Sequence, residues 1–375
     1  MKRIFYAVLA FIFSIMICGC SSVYVYFDEH PETAGTVVVL PSASLPEFSD
    51  IDETALGSAE TDLIYKIMQT DTAAAQYRAF CTAAKKSSTA ALVVELSSTV
   101  YAAAMADTAN EYDLPLIFCG KRPASAVMER YDNSWYVGFD PALAAELQAG
   151  IITEAYRGDI VTDQSGDYKL SALVTGTKSA VAHHIPEYAN TLLQIIELSG
   201  AHTVPAAEPI TASDSESVYT LLDTLLLPQK QLLAAEISGT GEESTEPVYE
   251  ILAPAAHTEL ILCADLAASN AVLDLLNSLQ NAAEDPELSA YATPARRYFV
   301  AAYGIDETVT QAVQDGRILG AVGKDPAACT QTILNLCENL ARKEAITKNN
   351  DYHFDDGKYL MLDYRVITTG TEAAQ

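Results

Sequence analysis

Uniformly apolar runs alternate with helix-patterned segments from residue 36 onward, and this alternation limits the fold more than any other feature of the sequence. Strands that are apolar on both faces and separated by helices are typical of parallel sheets covered on both sides. The runs predicted as strands are TVVVLPS, DLIYKIMQ, ALVVELSS, LPLIFCG, WYVGFD, KLSALVTG, ELILCADLA, RYFVAAYG and ILGAVGKD.

The segments between these runs repeat apolar residues at helical spacing. Together, the predicted strands and helices exceed one ordinary sheet, so the fold class is α/β with two doubly wound parallel-sheet lobes. The predicted helices are TAAAQYRAFCTAAKK, VYAAAMADTANEY, PALAAELQAGIITEAYR, IPEYANTLLQIIELSG, SESVYTLLDTLLL, ASNAVLDLLNSLQ, DETVTQAVQDG and PAACTQTILNLCENLARKEA.

Four stretches depart from this pattern. The first crossover, ASLPEFSDIDETALGSAET, has weak helical periodicity, so we expect its helix to be short. Residues 239–247 and 281–294 are predicted surface loops because they are rich in turn-forming and acidic residues. The last segment, YHFDDGKYLMLDYRVIT, is predicted to form two extended segments around an Asp-Gly turn.

The N-terminus has the pattern of an export signal. Lys2 and Arg3 precede the apolar stretch 4–17, which is too short to span a bilayer and is followed by small residues. The segment Ile17-Cys18-Gly19-Cys20 resembles the lipobox of bacterial lipoproteins, which implies that Cys20 is acylated and becomes the new N-terminus. We therefore predict a lipoprotein signal peptide over 1–19 and a tether over 20–35, with membrane anchoring through Cys20. The alternative is an ordinary cleaved signal with an incidental cysteine.

Charge and cysteine content exclude several classes of protein. The net charge of −28 becomes −30 when Lys2 and Arg3 are removed, and such a surface repels nucleic acid and anionic lipid. Half of the residues are hydrophobic, so the chain is not a disordered acidic tail. The five cysteines beyond the anchor have no C-x-x-C spacing and lie in apolar runs, so we predict buried thiols rather than zinc ligands or disulfides.

Catalytic and metal motifs are absent. The sequence has no G-x-S-x-G, no H-E-x-x-H and no G-x-G-x-x-G after a strand. The adjacent histidines His183 and His184 lack further ligands at a usable spacing, so no metal site is predicted there. We therefore predict that the protein is not an enzyme and has no cofactor, and a hydrolase is the least favoured alternative.

One segment, DLPLIFCGKRPASAVMERYDNSWYVGFD, carries a family resemblance through Lys121, Pro123, Tyr131-Asp132, 136–138 and Asp140. It resembles the galactose/glucose-binding proteins of ABC importers, which belong to the type I periplasmic binding proteins, and the likeness extends over about 62–367. The resemblance implies two lobes joined by a three-strand hinge, with the ligand in the interlobe cleft. It places lobe one at 36–138 plus 326–362 and lobe two at 139–325 plus 363–375.

The same resemblance implies a set of ligand-binding residues. Some positions differ from the family: Gly120 and Lys324 stand where it has asparagines, and Asn190 stands where it has an arginine. Alternatives remain at several of the positions, because Asp265 and Asp306 can each cap a helix, His184 can be a helix-entry residue and Lys121 a solvated loop residue. The implied residues are His184, Asp306, Asp265, Lys121, Asn190 and Lys324.

The family's calcium loop is matched by DQSGDYKL, in which Asp163 and Asp167 remain and Lys169 intrudes. Glu259 is the distant partner in this alignment. Calcium prefers several oxygen ligands at alternate positions, so we favour a solvated acidic turn over a calcium site.

These observations predict a monomeric, extracytoplasmic solute-binding protein anchored by lipid to the bacterial cell membrane. Its expected ligand is a galactose- or glucose-type carbohydrate, and the closed form is expected to dock on an ABC permease. The alternative is a degenerate, non-transporting surface lipoprotein that uses the fold as a scaffold or interaction module.

Overall fold

The computed structural model describes residues 35–42, 50–57, 63–177, 185–226, 229–232, 249–252, 258–284, 298–348 and 351–369. The predicted signal peptide, Cys20, His183, His184 and the predicted loop 239–247 lie outside the described residues. Among the described helices, none combines the length and apolar character that a bilayer crossing requires.

The strands in chain order are β1 (Thr36–Leu40), β2 (Ile64–Ile67), β3 (Thr89–Leu96), β4 (Leu116–Gly120), β5 (Ser134–Phe139), β6 (Leu170–Thr177), β7 (Thr203–Pro205), β8 (Ile210–Ala212), β9 (Gln229–Leu232), β10 (Tyr249–Leu252), β11 (Leu260–Cys263), β12 (Phe299–Tyr303), β13 (Gly320–Gly323), β14 (Tyr359–Leu362) and β15 (Arg365–Thr368). The helices are α1 (Glu53–Gly57), α2 (Ala73–Ala84), α3 (Ala102–Glu111), α4 (Ser125–Met128), α5 (Pro141–Arg157), α6 (Ile185–Leu198), α7 (Ser215–Leu226), α8 (Leu266–Glu284), α9 (Glu307–Gln314) and α10 (Pro326–Ala341).

The chain forms two compact lobes. Lobe one consists of the described residues within Met1–Phe139 and Asp325–Asp363, and lobe two of those within Asp140–Lys324 and Tyr364–Gln375. The chain therefore passes from one lobe to the other three times, after Phe139, Lys324 and Asp363.

The sheet of lobe one has the strand order β14-β5-β4-β3-β1-β2 and is parallel throughout. Helix α2 shows why its sequence packs on this sheet: the residues spaced at i, i+4, i+7 and i+8 (Gln76, Phe80, Ala83 and Ala84) are its buried face. Among the described residues between β1 and β2, the helix Glu53–Gly57 has five residues, in agreement with the prediction of a short first crossover helix.

The sheet of lobe two has the order β15-β13-β12-β11-β6-β7, with β8 also pairing with β6. Strand β15 is antiparallel to β13, and the other pairs in this sheet are parallel. Its apolar core is formed by side chains of β6, β11, β12 and β13 together with α7, α8 and α9. Thus each lobe has a parallel sheet with helices packed against it, as the sequence predicts.

The C-terminal segment forms two extended strands, β14 and β15, which join the sheet of lobe one and the sheet of lobe two respectively. The Asp-Gly sequence does form a tight turn, with φ of 50° at Asp356 and 68° at Gly357, and this turn precedes β14. The predicted loop 281–294 also begins too early, since α8 continues to Glu284.

Two of the three passages between lobes are followed directly by an Asp-Pro helix start. Asp140 caps α5 and accepts a hydrogen bond of 2.9 Å from the Ala142 N–H, and Pro141 begins the helix. Asp325 caps α10 in the same way, with the Ala328 N–H at 3.0 Å. Proline is favoured at the first helical position because its missing N–H has no intrahelical partner there, so these passages end at firmly defined helix starts.

Candidate functional site

The carboxyl ends of parallel strands are where ligands bind in doubly wound folds, so these edges contain the candidate site. In lobe two, three predicted ligand residues follow neighbouring strands: Asp265 follows β11, Asp306 follows β12 and Lys324 follows β13. The structure therefore brings these three residues to one edge of one sheet.

Asp265 accepts hydrogen bonds from the protein through both of its carboxylate oxygens. Its side chain is buried, and one carboxylate oxygen, Oδ2, accepts hydrogen bonds from the Thr177 N–H at 2.5 Å and the Thr177 hydroxyl at 2.9 Å. The other oxygen accepts a bond of 2.8 Å from the Ala268 N–H in the first turn of α8. This geometry favours the capping alternative for Asp265 over direct ligand contact.

Asp306 is half-buried and differently placed. Its Oδ1 accepts a hydrogen bond of 2.7 Å from the Val309 N–H, so the residue caps α9. Its Oδ2 lies 3.3 Å from the side-chain nitrogen Nδ2 of Asn270, which belongs to the first turns of α8. The carboxylate is thus oriented by contacts from two helices and remains partly exposed at the edge, where it has further acceptor capacity.

Two aliphatic side chains occupy the same edge. Leu266 and Ile305 are only partly buried, and they pack against the apolar core of the lobe. Each lies over a strand end that has a glycine: a Cβ on Gly304 would lie 2.5 Å from Leu266 Cβ, and one on Gly323 would lie 2.8 Å from Ile305 Cγ1. We call Leu266 and Ile305 the aliphatic seat.

The remaining predicted ligand residues are dispersed. Asn190 is exposed on α6, and Lys121 is exposed at the end of β4 in lobe one. The Lys121 N–H donates to the carbonyl of Leu96 at 3.1 Å, which fixes the backbone at this strand end. Beside it, the Arg122 guanidinium lies 4.3 Å from the centre of the Tyr359 ring, a cation–π contact at the surface of lobe one.

Two buried acids, Glu95 and Asp50, form a hydrogen-bond network at the carboxyl edge of the sheet in lobe one. Glu95 accepts hydrogen bonds from the Ser42 N–H at 2.8 Å and the Asp50 N–H at 2.5 Å. Asp50 in turn accepts a bond of 3.2 Å from the Gly120 N–H. Glu95 and Asp50 are each 2% exposed, so both carboxylates stabilise the ends of β1, β3 and β4 from inside the lobe.

Each lobe also has one buried glutamine that satisfies strand-end carbonyl groups. In lobe one, the Gln76 amide donates to the carbonyls of Leu40, Pro41 and Glu95 at 2.8–3.2 Å. In lobe two, the Gln148 amide donates to Cys263 and Ala301 at 2.8–2.9 Å, and its Oε1 accepts the Tyr188 hydroxyl at 2.8 Å. Burial raises the pKa of the Tyr188 hydroxyl well above its ordinary value, so Tyr188 stays a neutral donor.

The residues that carry the family resemblance have structural roles. The Tyr136 ring lies across Gly138, where any Cβ would collide with it, and its hydroxyl donates to the Gly120 carbonyl at 2.8 Å. The Lys358 ammonium group donates to the carbonyls of Tyr131 and Asp132 at 3.1 and 2.7 Å, which explains the turn before β5. Burial lowers the pKa of Lys358.

The predicted calcium loop is hydrogen-bonded to itself. Asp163 Oδ1 accepts the backbone N–H groups of Ser165 and Gly166 at 2.8 and 2.7 Å, and Oδ2 accepts that of Tyr168 at 2.6 Å. Glu259 is buried, and its carboxylate accepts N–H groups on both sides of the loop, from Gln164 at 2.6 Å and Ser171 at 3.0 Å. The carboxylates that would bind a cation therefore accept backbone N–H donors.

Hydrogen bonds also lower the pKa of one carboxyl group in this loop, that of Asp163. The hydroxyl of Ser165 and the N–H groups of the loop lower the pKa of Asp163 below its ordinary value of 3.8. Asp167 shares the same hydroxyl, which lies 2.9 Å from its Oδ1. Within the described residues, no group of three or more His, Cys, Asp or Glu side chains has an arrangement that could hold a metal ion.

Solved structures similar to this chain include solute-binding proteins of ABC transporters. One is an ABC transporter solute-binding protein from Burkholderia graminis in complex with D-arabinose (13% identity, 92% of this chain and 99% of that chain covered, TM-score 0.59). A second is a solute-binding protein from Bacillus halodurans with bound myo-inositol (12%, 90% and 96%, TM-score 0.57). A third is a glucose-galactose binding protein from Geobacillus stearothermophilus (12%, 90% and 98%, TM-score 0.53).

This chain has the type I periplasmic binding-protein fold. The structural likeness extends over nearly the full length of both chains in each comparison. No family model matches the sequence, and no curated protein matches it.

The sequence did not identify Glu95, Asp50, Gln76 or Asn270 as important. Glu95 had a usable signal, because an acidic residue inside the apolar run ALVVELSS requires buried hydrogen-bond donors. Asn270 had none, since it is one of several polar residues on an amphipathic helix and only the tertiary structure brings it to Asp306.

Proposed function

We propose that the protein is a solute-binding component of an ABC importer that binds a carbohydrate-like solute at the carboxyl edges of its sheets. The observation that carries this proposal is Asp306, an oriented and partly exposed carboxylate at the edge where this fold binds ligands. Its fold is shared by proteins described as binding arabinose, inositol and glucose or galactose, which supports a polyhydroxylated ligand and a role without catalysis.

The chemistry of Asp306 suits such a ligand. A carboxylate accepts hydrogen bonds from hydroxyl groups, and bonds to a charged acceptor are stronger than bonds between neutral groups. Because Val309 and Asn270 already fix the orientation of this carboxylate, a ligand need not spend binding energy on ordering it.

A second candidate function is a surface lipoprotein that keeps the fold as a scaffold. The specific observation in its favour is Asp265, whose two oxygens are both engaged by protein donors. In addition, Ala264 and Lys324 stand at positions where the resemblance places asparagines of the sugar-binding family. The edge of lobe two therefore has fewer side-chain amides than that family.

The two functions are separated by substituting Asp306 in two ways. Asp306→Ser keeps a side-chain oxygen for the Val309 N–H but removes the carboxylate, whereas Asp306→Ala removes both. For a binding protein, we expect either change to weaken the best solute from a calorimetric screen about thirtyfold, equivalent to ~2 kcal/mol. Only the alanine variant should also lose about 1 kcal/mol of unfolding free energy.

The screen contains monosaccharides, inositol and the sugar conjugates described below. If none of them binds at millimolar concentration, the scaffold function is favoured and the importer function is wrong. If a solute binds but neither Asp306 variant changes its affinity, the protein binds solutes without this residue. Asn270→Ala should weaken the same solute about fivefold, while Asn277→Ala on the same helix, where Asn277 accepts from Arg317 at 2.7 Å, is the control.

We also propose that the protein is extracytoplasmic and anchored through lipid on Cys20. The support is the sequence pattern at 4–20, with its short apolar stretch and lipobox-like end. Cys20→Ser should abolish incorporation of radiolabelled fatty acid and release the protein from the membrane fraction. Cys18→Ser is the matched control, and unchanged labelling of the Cys20 variant would refute the anchor.

A further inference from the structure

The edge of lobe two combines one oriented carboxylate with an aliphatic surface. Leu266 directly follows Asp265 at the end of β11, and Ile305 directly precedes Asp306 at the end of β12. Both members of the aliphatic seat are partly exposed, although they lie at the edge where a fully hydroxylated ligand would need hydrogen-bond partners.

The packing around the seat fixes it in place. Gly304 has a φ of 88° and leaves room for Leu266, and Gly323 leaves room for Ile305. A Cβ at either glycine would collide with the seat, so both glycines are needed to hold these two side chains where they lie. The Ser269 hydroxyl donates to the Tyr303 carbonyl at 2.8 Å and ties α8 to the end of β12.

A free hexose is poorly matched to this surface. Each hydroxyl group that a ligand buries against an aliphatic side chain loses its water without gaining a partner, and this costs affinity. An apolar group in the same place gains affinity because its own surface is removed from water. The edge of lobe two should therefore bind more tightly a ligand that has an apolar group beside a hydroxylated one.

We infer that the ligand joins a hydroxylated ring to an apolar or aromatic ring, the chemistry shared by nucleosides and aryl glycosides. This inference rests on the proposed binding function and specifies its substrate class. The apolar ring lies on Leu266 and Ile305, and the hydroxyl groups of the sugar donate to Asp306, whose carboxylate is adjacent to Ile305 in the chain and is held by Asn270.

The inference is tested by calorimetric titration of the full-length chain with matched probes. D-Galactose is compared with phenyl β-D-galactoside, and D-ribose is compared with uridine and adenosine. In each set the conjugate should bind at least tenfold more tightly than the free sugar, since burying an aromatic ring removes ample apolar area from water. The two sets distinguish an aryl glycoside from a nucleoside as the ligand source.

Seat variants sharpen the test. Leu266→Asn and Ile305→Asn should reduce the affinity of the preferred conjugate about tenfold while changing that of the free sugar by less than threefold. Leu198→Asn is the control, because it makes the same change of side chain at a position away from the edge. Leu198 is 87% exposed and ends α6. Circular dichroism of each variant confirms that it is folded before titration.

The outcomes separate this inference from the proposed function. If free sugars bind as tightly as their conjugates, the inference is wrong and the importer function stands. If conjugates bind more tightly but the seat variants bind them like the parent chain, the apolar ring lies elsewhere and the inference is wrong. If no probe binds, the proposed function fails and the inference fails with it.

Discussion

The two lobes use acidic residues at their strand ends in different ways. In lobe one, Glu95 and Asp50 are buried and accept backbone N–H donors from neighbouring strand ends and loops. In lobe two, Asp265 and Asp306 each cap the helix that follows their strand, and Asp306 alone remains partly exposed. The same sequence pattern, an acid near the end of an apolar strand, therefore serves backbone stabilisation at Glu95 and Asp265 and leaves a partly exposed carboxylate at Asp306.

This comparison teaches that a strand-end carboxylate identifies a binding site only when its hydrogen-bonding capacity is not exhausted. Asp265 has Thr177 and Ala268 as donors and is 1% exposed, so it has little capacity left. Asp306 has contacts to one N–H and one amide group and is half-buried. The donors around each acid, rather than the identity of the acid, thus determine how much hydrogen-bonding capacity it retains.

The largest expected effect is at Glu95, in lobe one. Glu95→Ala leaves the N–H groups of Ser42 and Asp50 without their charged acceptor, and we expect the free energy of unfolding to fall by ~3 kcal/mol. Chemical denaturation measures this loss. Glu129→Ala, at an exposed position in the same lobe, should change stability by less than ~0.5 kcal/mol. If the two variants lost equal amounts of stability, the hydrogen bonds of Glu95 would not stabilise lobe one, and the proposed difference between the acids of the two lobes would be wrong.

A smaller effect is expected at Gly304, beneath the aliphatic seat. Gly304→Ala forces a Cβ to within 2.5 Å of Leu266 Cβ at a φ of 88°, and we expect a loss of about 2 kcal/mol. Gly166→Ala is the matched control, because Gly166 also has a positive φ, 77°, but no atom lies within 4 Å of its Cβ position. The difference between the two losses measures the collision alone, and a difference near zero would mean that Leu266 moves freely.

The smallest effect is expected in the loop around Asp163. Its hydrogen bonds lower the pKa of Asp163 below 3.8, so the stabilisation is present above the pKa of the unfolded chain and is lost as the pH falls through the folded pKa. The stability difference between the parent chain and Asp163→Asn should therefore be constant at neutral pH and shrink in acid. Thermal denaturation from pH 7 to pH 3 measures this trend, and a difference that grows in acid would contradict it.

Calcium is the companion measurement for the same loop. Because Asp163 and Glu259 already accept backbone N–H donors, a chelator should leave the melting temperature nearly unchanged. A large drop that added calcium reverses would show that these carboxylates exchange their N–H donors for the cation. In that case the acidic-turn interpretation of DQSGDYKL would be wrong.

The sequence predicted the fold well because the fold depends on patterns that a sequence displays directly. All nine predicted strands, from TVVVLPS to ILGAVGKD, and all eight predicted helices occur in the structure. The short strands β7, β8, β9 and β10 and the four-residue helix α4 were missed, since three or four residues are too few to show a period. The neighbours of β14 and β15 within their sheets were not predicted, because strand partners are a tertiary property.

The candidate site was less predictable, for a physical reason. The resemblance rests in part on Tyr136, Gly138 and Asp140, and these three residues form a strand and a helix cap. Whether Asp265 or Asp306 is available to a ligand depends on donors that lie far along the chain, such as Thr177 for Asp265. His184, Lys121, Asn190 and Lys324 remain predictions as ligand residues.

The thiols of this protein have a consequence for how it is produced. None of the five described cysteines forms a disulfide, and four of them are buried. Burial raises the pKa of Cys263 and Cys337 to about 12, so neither thiol ionises or meets an oxidant while the chain is folded. In an unfolded chain the same thiols are exposed and regain ordinary reactivity. For these two thiols the time between synthesis and folding is therefore the period of oxidative risk, and the refolding yield should fall when the reductant is omitted.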